Sequence, residues 1–104
     1  MAKLDEDLIY EVLSCVEEIP AGSVASYGQI ARLIGRERNS RLVGKVLSRA
    51  EYYGEYPCHR VVNHAGRLVP GWAEQAWLLA REGVLLKPDG KVDMKKYQWE
   101  ESGE

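Results

Sequence analysis

The run SYGQIARLIG, residues 26–35, carries both ends of a helix in its own letters. Ser26 and Gln29 stand at capping-box spacing, so each side chain can accept a hydrogen bond from the other's backbone amide, and Gly35 suits the turn that closes a helix. Ends this close together predict a helix of about two turns, too short to be stable in water by itself. It has to pack between neighbours. One follows the charged loop RERN, where SRLVGKVLSRA reads as a second short helix. The other comes before: in KLDEDLIYEVLSCVEEIP, Leu4, Leu8, Ile9, Val12, Leu13, Cys15, Val16 and Ile19 fall within one half of a helical wheel. Glu6, Tyr10, Glu11, Ser14, Glu17 and Glu18 take the other half, and Pro20 is the stop. Two short helices in tight succession behind a longer one form the pattern of a helix-turn-helix, with the helix opening at Ser40 in the recognition position.

Beyond this point the periodicity changes. Arg60 to Asn63 and Arg67 to Val69 read as short strands joined around HAG, the wing of a winged helix. GWAEQAWLLAREG is a helix stopped at Gly83, and VLLKPDGKVDM is a second hairpin turning at Pro88, Asp89 and Gly90. The tail KKYQWEESGE is expected to pack through Tyr97 and Trp99 and to be disordered from about residue 100. A chain of 104 residues, 45% of them hydrophobic, suffices for one core. The expected fold is therefore α+β: a single, mainly helical winged helix-turn-helix domain over residues 1–104 with short β-hairpins.

Charge is distributed unevenly. The net value is −2, yet residues 21–70 hold eight Arg or Lys against three Asp or Glu, a surplus of five that the remainder more than offsets. A local positive patch attracts a polyanion whatever the far side carries. On the helix from Ser40, Leu42, Val43, Val46, Leu47 and Ala50 form the core side, Ser40, Gly44 and Ser48 a strip of small side chains, and Arg41, Lys45 and Arg49 a basic strip beside it. Small residues four apart let a backbone approach another surface closely, and adjacent cations can then reach phosphates; a merely solvated face is the competing reading. No apolar run is long enough to cross a bilayer, two cysteines are too few for a disulfide framework, and the acidic N-terminus lacks the apolar run of a signal peptide. A cytoplasmic protein is expected, and with no evident dimer helix, a monomer.

The chemistry centres on YPCHRVV. Cys58 could pack, hold a metal or react. His59 is the adjacent base or cationic partner for a thiol. Glu82, one helical turn after Leu78 and Leu79, could orient His59 or a water relay, or could simply be solvated at its helix end. Cys15 belongs to an apolar face and reads as inert. Two cysteines with His59 and His64 lack the paired spacings of a structural zinc site, and no cofactor motif is present, so neither metal nor cofactor is expected.

Taken in order, IPAGSVASYGQIA, SRLVGKVLSR, PCHRVVN followed by GRL, and WLLAREG resemble the DNA-binding and catalytic domain of the O6-alkylguanine-DNA alkyltransferases and the related compact alkyltransferase-like proteins, over Leu8 to Gly83. The resemblance implies that double-stranded DNA is bound along the minor groove, that O6-alkylguanine is flipped out, and that its alkyl group passes irreversibly to Cys58. His59 and Glu82 would extract the thiol proton through a water. Tyr27 would crowd the target phosphate and meet the flipped base, and Arg41 would fill the gap in the base stack. Ser40, Gly44, Lys45, Ser48, Arg49 and Arg60 complete the implied DNA face. Where the family has a longer glycine-paired loop, this chain has RLVPGWAEQ, so Val69, Pro70, Gly71 and Trp72 join Tyr27 as the expected pocket wall. The alternative within the same family is a non-enzymatic lesion sensor that binds O6-alkylguanine and recruits excision-repair proteins, with Cys58 only lining the pocket.

Overall fold

A computed structural model describes residues 6–101. Helix α1 (Glu6–Glu17) turns Leu8, Ile9, Val12, Leu13 and Val16 inward, and Glu6 and Asp7 in its first turn complement the positive end of its dipole. Leu4 lies outside the described residues. Strand β1 (Ala25–Ser26) leads directly into α2 (Tyr27–Leu33), and α3 (Ser40–Leu47) packs against α2 and α1. The capping box forms as expected: the Ser26 hydroxyl oxygen accepts from Gln29 N–H at 3.0 Å and Gln29 Oε1 accepts from Ser26 N–H at 3.4 Å. At the other end, Gly35 N–H donates to Arg32 O and Arg36 N–H to Ala31 O, a Schellman closure that satisfies two carbonyls of the last turn. Helix α4 (Glu74–Arg81) closes in the same way, through Gly83 to Ala80 and Val84 to Leu79.

The strand topology differs from expectation. Strand β2 (Val61–Val62) pairs with β1, in parallel and in the register Ala25 to Val61 and Ser26 to Val62, rather than with residues 67–69. All four residues are buried. Successive strand residues face opposite sides, so Val61 joins the core of α1, α2 and α3 while Val62 joins a second cluster with Val24, Leu79, Val84 and Val92. The two-stranded sheet is the partition between two small cores. This burial explains the outcome: a hairpin from 60 to 69 would leave one face of each valine in water, whereas the parallel pair covers both.

The expected wing is reduced to a tight loop. Asn63 Oδ1 accepts from Ala65 N–H at 2.9 Å and Arg67 N–H at 2.8 Å, and Asn63 N–H donates to Arg67 O. An asparagine that satisfies its neighbours' amides this way replaces a ladder with a local turn. The second hairpin survives as one antiparallel bridge, Leu86 with Val92, closed by Lys87 and Lys91. After the single turn α5 (Met94–Tyr97), the chain brackets Val24: Val24 N–H donates to Tyr97 O, and Trp99 N–H to Val24 O at 2.7 Å. At residue 101, Glu101 accepts from Gln29 Nε2 at 2.6 Å and pairs with Arg32 at 3.2 Å. Residues 102–104 lie outside the described residues.

Two glycines separate backbone strain from crowding. Gly66 has φ +87°, and a Cβ there would run into the Val92 backbone, whose N–H donates to Gly66 O at 2.9 Å. Gly71 has φ +81° at the corner of a turn closed by Trp72 N–H and Val69 O, with open space around it. Gly71→Ala is expected to cost about 1 kcal/mol, the left-handed penalty alone, and Gly66→Ala about 3 kcal/mol or more, because overpacking adds to it. Urea unfolding of the two variants beside the parent checks the difference.

Candidate functional site

Cys58, His59 and Arg60 form one turn of 3-10 helix immediately before β2, with Pro57 preceding it. The parallel pairing sets this turn beside the start of α2, because Val62 lies opposite Ser26, the residue that caps the helix opening with Tyr27. Tyr27 and Cys58 consequently face one cavity of about 200 Å³, completed by Gly44, Leu47, Ser48, Val69 and Trp72. Burial pushes the Cys58 thiol up to about 11. Burial, then the nearby Cys58, raises the Tyr27 phenol. Both groups are neutral at pH 7 in the free protein, and the cavity wall is largely apolar.

Next to the cavity sits a charged cluster. Arg60 Nε and Nη2 donate to the two Glu82 oxygens at 2.9 and 2.7 Å, a bidentate fork, and Nη1 donates to Ile19 O at 2.8 Å. His59 Nε2 lies 2.9 Å from Glu82 Oε2. The Arg60 hydrogen bond is the main cause that holds Glu82 down at about 2, with His59 contributing against the opposing effect of burial. An ionised carboxylate only accepts, so His59 must carry a proton on Nε2; in the neutral form of the ring Nδ1 is then the acceptor. Among the described residues, no hydrogen bond joins the Cys58 sulfur to either partner.

Glu82 thus meets His59, the chain neighbour of Cys58, and the same carboxylate holds Arg60. Arg60, expected on the DNA face, has 17% of its side chain exposed and commits its guanidinium to Glu82 and Ile19 O, which makes it an internal strut. Ser40, Arg41, Lys45, Ser48 and Arg49 are exposed on or just after α3, and none of the three cations enters an ion pair among the described residues. Gly44 is half-buried and sits over Tyr27, where a Cβ would stand 3.9 Å from the ring. Its missing side chain therefore widens the cavity as well as flattening the helix. Of the expected wall, Val69 and Trp72 line the cavity, whereas Pro70 and Gly71 project to solvent from the corner of their turn. Cys15 is half-buried beside the first core, its thiol pushed up to about 11 by burial and then by Glu18 and Glu101.

Sequence reasoning missed Gln75. It is fully buried in α4, donating Nε2 to His59 O at 3.0 Å and Val61 O at 3.2 Å while Oε1 accepts from Val69 N–H at 2.7 Å. One amide thereby ties the Cys58 turn, β2 and the pocket wall to a single helix. The available signal was its place four residues before Leu79, on the helix face that must be buried.

Residues 7–84 match the protein family described as 6-O-methylguanine DNA methyltransferase, DNA binding domain. A DNA base-flipping protein of Escherichia coli (strain K12) is 38% identical over 91 residues, covering 85% of this chain and 70% of its own. The methylated-DNA–protein-cysteine methyltransferase of Salmonella typhimurium is also 38% identical, over 79 residues, but this chain covers only 46% of it. The crystal structure of S. pombe Atl1 in complex with damaged DNA containing O6-carboxymethylguanine is similar at TM-score 0.82 and 29% identity, covering 94% of this chain and 99% of that one.

The Glu82 cluster gives a pH signature. Folding lowers its pKa from the ordinary 4.5 to about 2, so its contribution is complete above 4.5 and disappears as pH falls toward 2. Glu82→Gln is expected to lose about 2 to 3 kcal/mol at pH 7 and to show a flatter loss of stability through that window. Denaturant unfolding at a series of pH values tests this; parallel curves for parent and variant would contradict it.

Proposed function

We propose that this chain, which belongs to the O6-alkylguanine-DNA alkyltransferase family, binds duplex DNA carrying O6-alkylguanine, flips the base into the Cys58 cavity and holds it there as a mark for excision-repair proteins. The observation that carries this reading is the cavity between Tyr27 and Cys58 opening beside the exposed cations of α3. Lys45 and Arg49 would engage phosphates and Arg41 would fill the gap left in the base stack, while Ser40 and Ser48 let the helix lie close in the minor groove. Extruding a base costs a few kcal/mol, which these contacts and the apolar cavity offset.

Retention of the base rather than reaction is supported by the electrostatics of the site. A thiol with its pKa near 11 is almost wholly protonated at pH 7. The carboxylate that would stabilise a protonated His59 is already neutralised by the Arg60 fork, which weakens its pull on the ring. The similarity to S. pombe Atl1, a protein crystallised with damaged DNA, extends over almost the whole of both chains.

Alkyl transfer is the second reading, and one observation favours it: with Nε2 donating to Glu82, His59 presents Nδ1 as an acceptor that could take the Cys58 proton through a water. The sulfur would then bond to the alkyl carbon as the bond from carbon to O6 breaks, releasing guanine. Mass spectrometry of the intact protein after incubation with an O6-methylguanine duplex separates the two. Retention predicts tight binding with unchanged mass, and binding that persists in Cys58→Ala. A 1:1 gain of one methylene, lost in Cys58→Ala, establishes transfer instead. For the cavity itself, Gly44→Ala is expected to stabilise the free protein by up to about 1 kcal/mol, through helix propensity, while weakening lesion binding severalfold. Unchanged lesion affinity would place the base elsewhere.

A further inference from the structure

The cavity beside Tyr27 does not end at Cys58. Leu47, Ser48, Cys58 and Trp72 line it and also line a larger cleft of about 970 Å³, which continues past the thiol between the chain after α3 and the start of α4. If a flipped base occupies the Tyr27 side, its O6 substituent points at the sulfur, and any substituent longer than methyl extends into this cleft. The walls there change character. Glu51 and Glu55 from the chain after α3 and Glu74 from the start of α4 contribute three carboxylates, Tyr56 and Trp72 contribute aromatic surface, and no Lys or Arg lines the cleft among the described residues.

We propose that this cleft selects O6-alkylguanines by the charge of the alkyl group, admitting neutral and above all ammonium-bearing substituents and disfavouring carboxylate-bearing ones. The inference rests on the lesion-binding function proposed above. A concave wall carrying charge of one sign focuses the field at its centre, so an anion entering loses hydration and meets repulsion, whereas an ammonium group gains attraction. The ring faces of Tyr56 and Trp72 add to that preference, since aromatic faces attract cations. All three glutamates are exposed, so the selection is salt-sensitive. The adduct in the S. pombe Atl1 crystal, O6-carboxymethylguanine, is the one this cleft would oppose most directly.

The test is equilibrium binding of the full chain to four duplexes that differ only at one base: guanine, O6-methylguanine, O6-carboxymethylguanine and O6-(3-aminopropyl)guanine, the last two of equal heavy-atom count. At low salt the aminopropyl duplex is expected to bind about tenfold more tightly than the carboxymethyl duplex, with the ratio shrinking as salt is raised. Combining Glu51→Gln, Glu55→Gln and Glu74→Gln should bring that ratio near one while leaving the preference for O6-methylguanine over guanine intact. Glu55→Gln alone should move it the same way by less, which covers the case of a poorly folding triple variant. Equal affinities for the two charged adducts, or a ratio that survives the triple variant, overturn the charge selection. No preference for O6-methylguanine over guanine overturns the lesion-binding reading itself.

Discussion

The guanidinium of Arg60 is the junction on which the site depends. It leaves the turn that carries Cys58, forks onto Glu82 at the end of α4, and reaches Ile19 O just past α1, partners 22 and 41 residues away. An ion pair with both side chains 17% exposed is weak evidence of net stabilisation, because desolvation offsets much of the attraction. Its value lies in geometry. A planar fork fits a carboxylate in one orientation, so the turn, the helix end and the α1 exit are held at a single mutual angle. His59 then inherits its tautomer from the same carboxylate.

Gln75 and the parallel strand pair do the rest of the positioning. The strand pair aligns Tyr27 with Cys58, and the Gln75 amide fixes the backbone within and just after that turn to α4. Each link is a hydrogen bond that would leave a buried group unsatisfied if broken, and among the described residues no buried side-chain polar atom lacks a partner. A cavity walled this way is pre-shaped, which limits the ordering a flipped base would have to impose. The same burial that shapes the cavity pushes the Cys58 thiol up to about 11.

Helix ends were legible from local spacing. The capping box of Ser26 and Gln29, the glycine after each of α2 and α4, and the apolar face of α1 all rest on contacts within a few residues, where sequence distance and spatial distance agree. The strands were not: Val61 and Val62 are compatible with either a hairpin or a parallel pair, and the choice follows from two cores needing a partition. The place of Arg60 was hidden for a related reason. An arginine beside a DNA-binding helix reads as a phosphate ligand until the carboxylate 22 residues later is seen to occupy it.

Three helices, a basic face on the third, and the residue types that PCHRVVN and WLLAREG bring to the site follow from the order of amino acids alone. Local propensity and periodicity are enough for that, since each helix carries its own caps and apolar face. That Glu82 serves Arg60 as much as His59, that Pro70 and Gly71 face water, and that Gly44 opens a cavity over Tyr27 emerges from the packed chain. Those outcomes depend on which long-range partner satisfies each buried charge and amide, and that competition is settled by packing rather than by spacing along the chain.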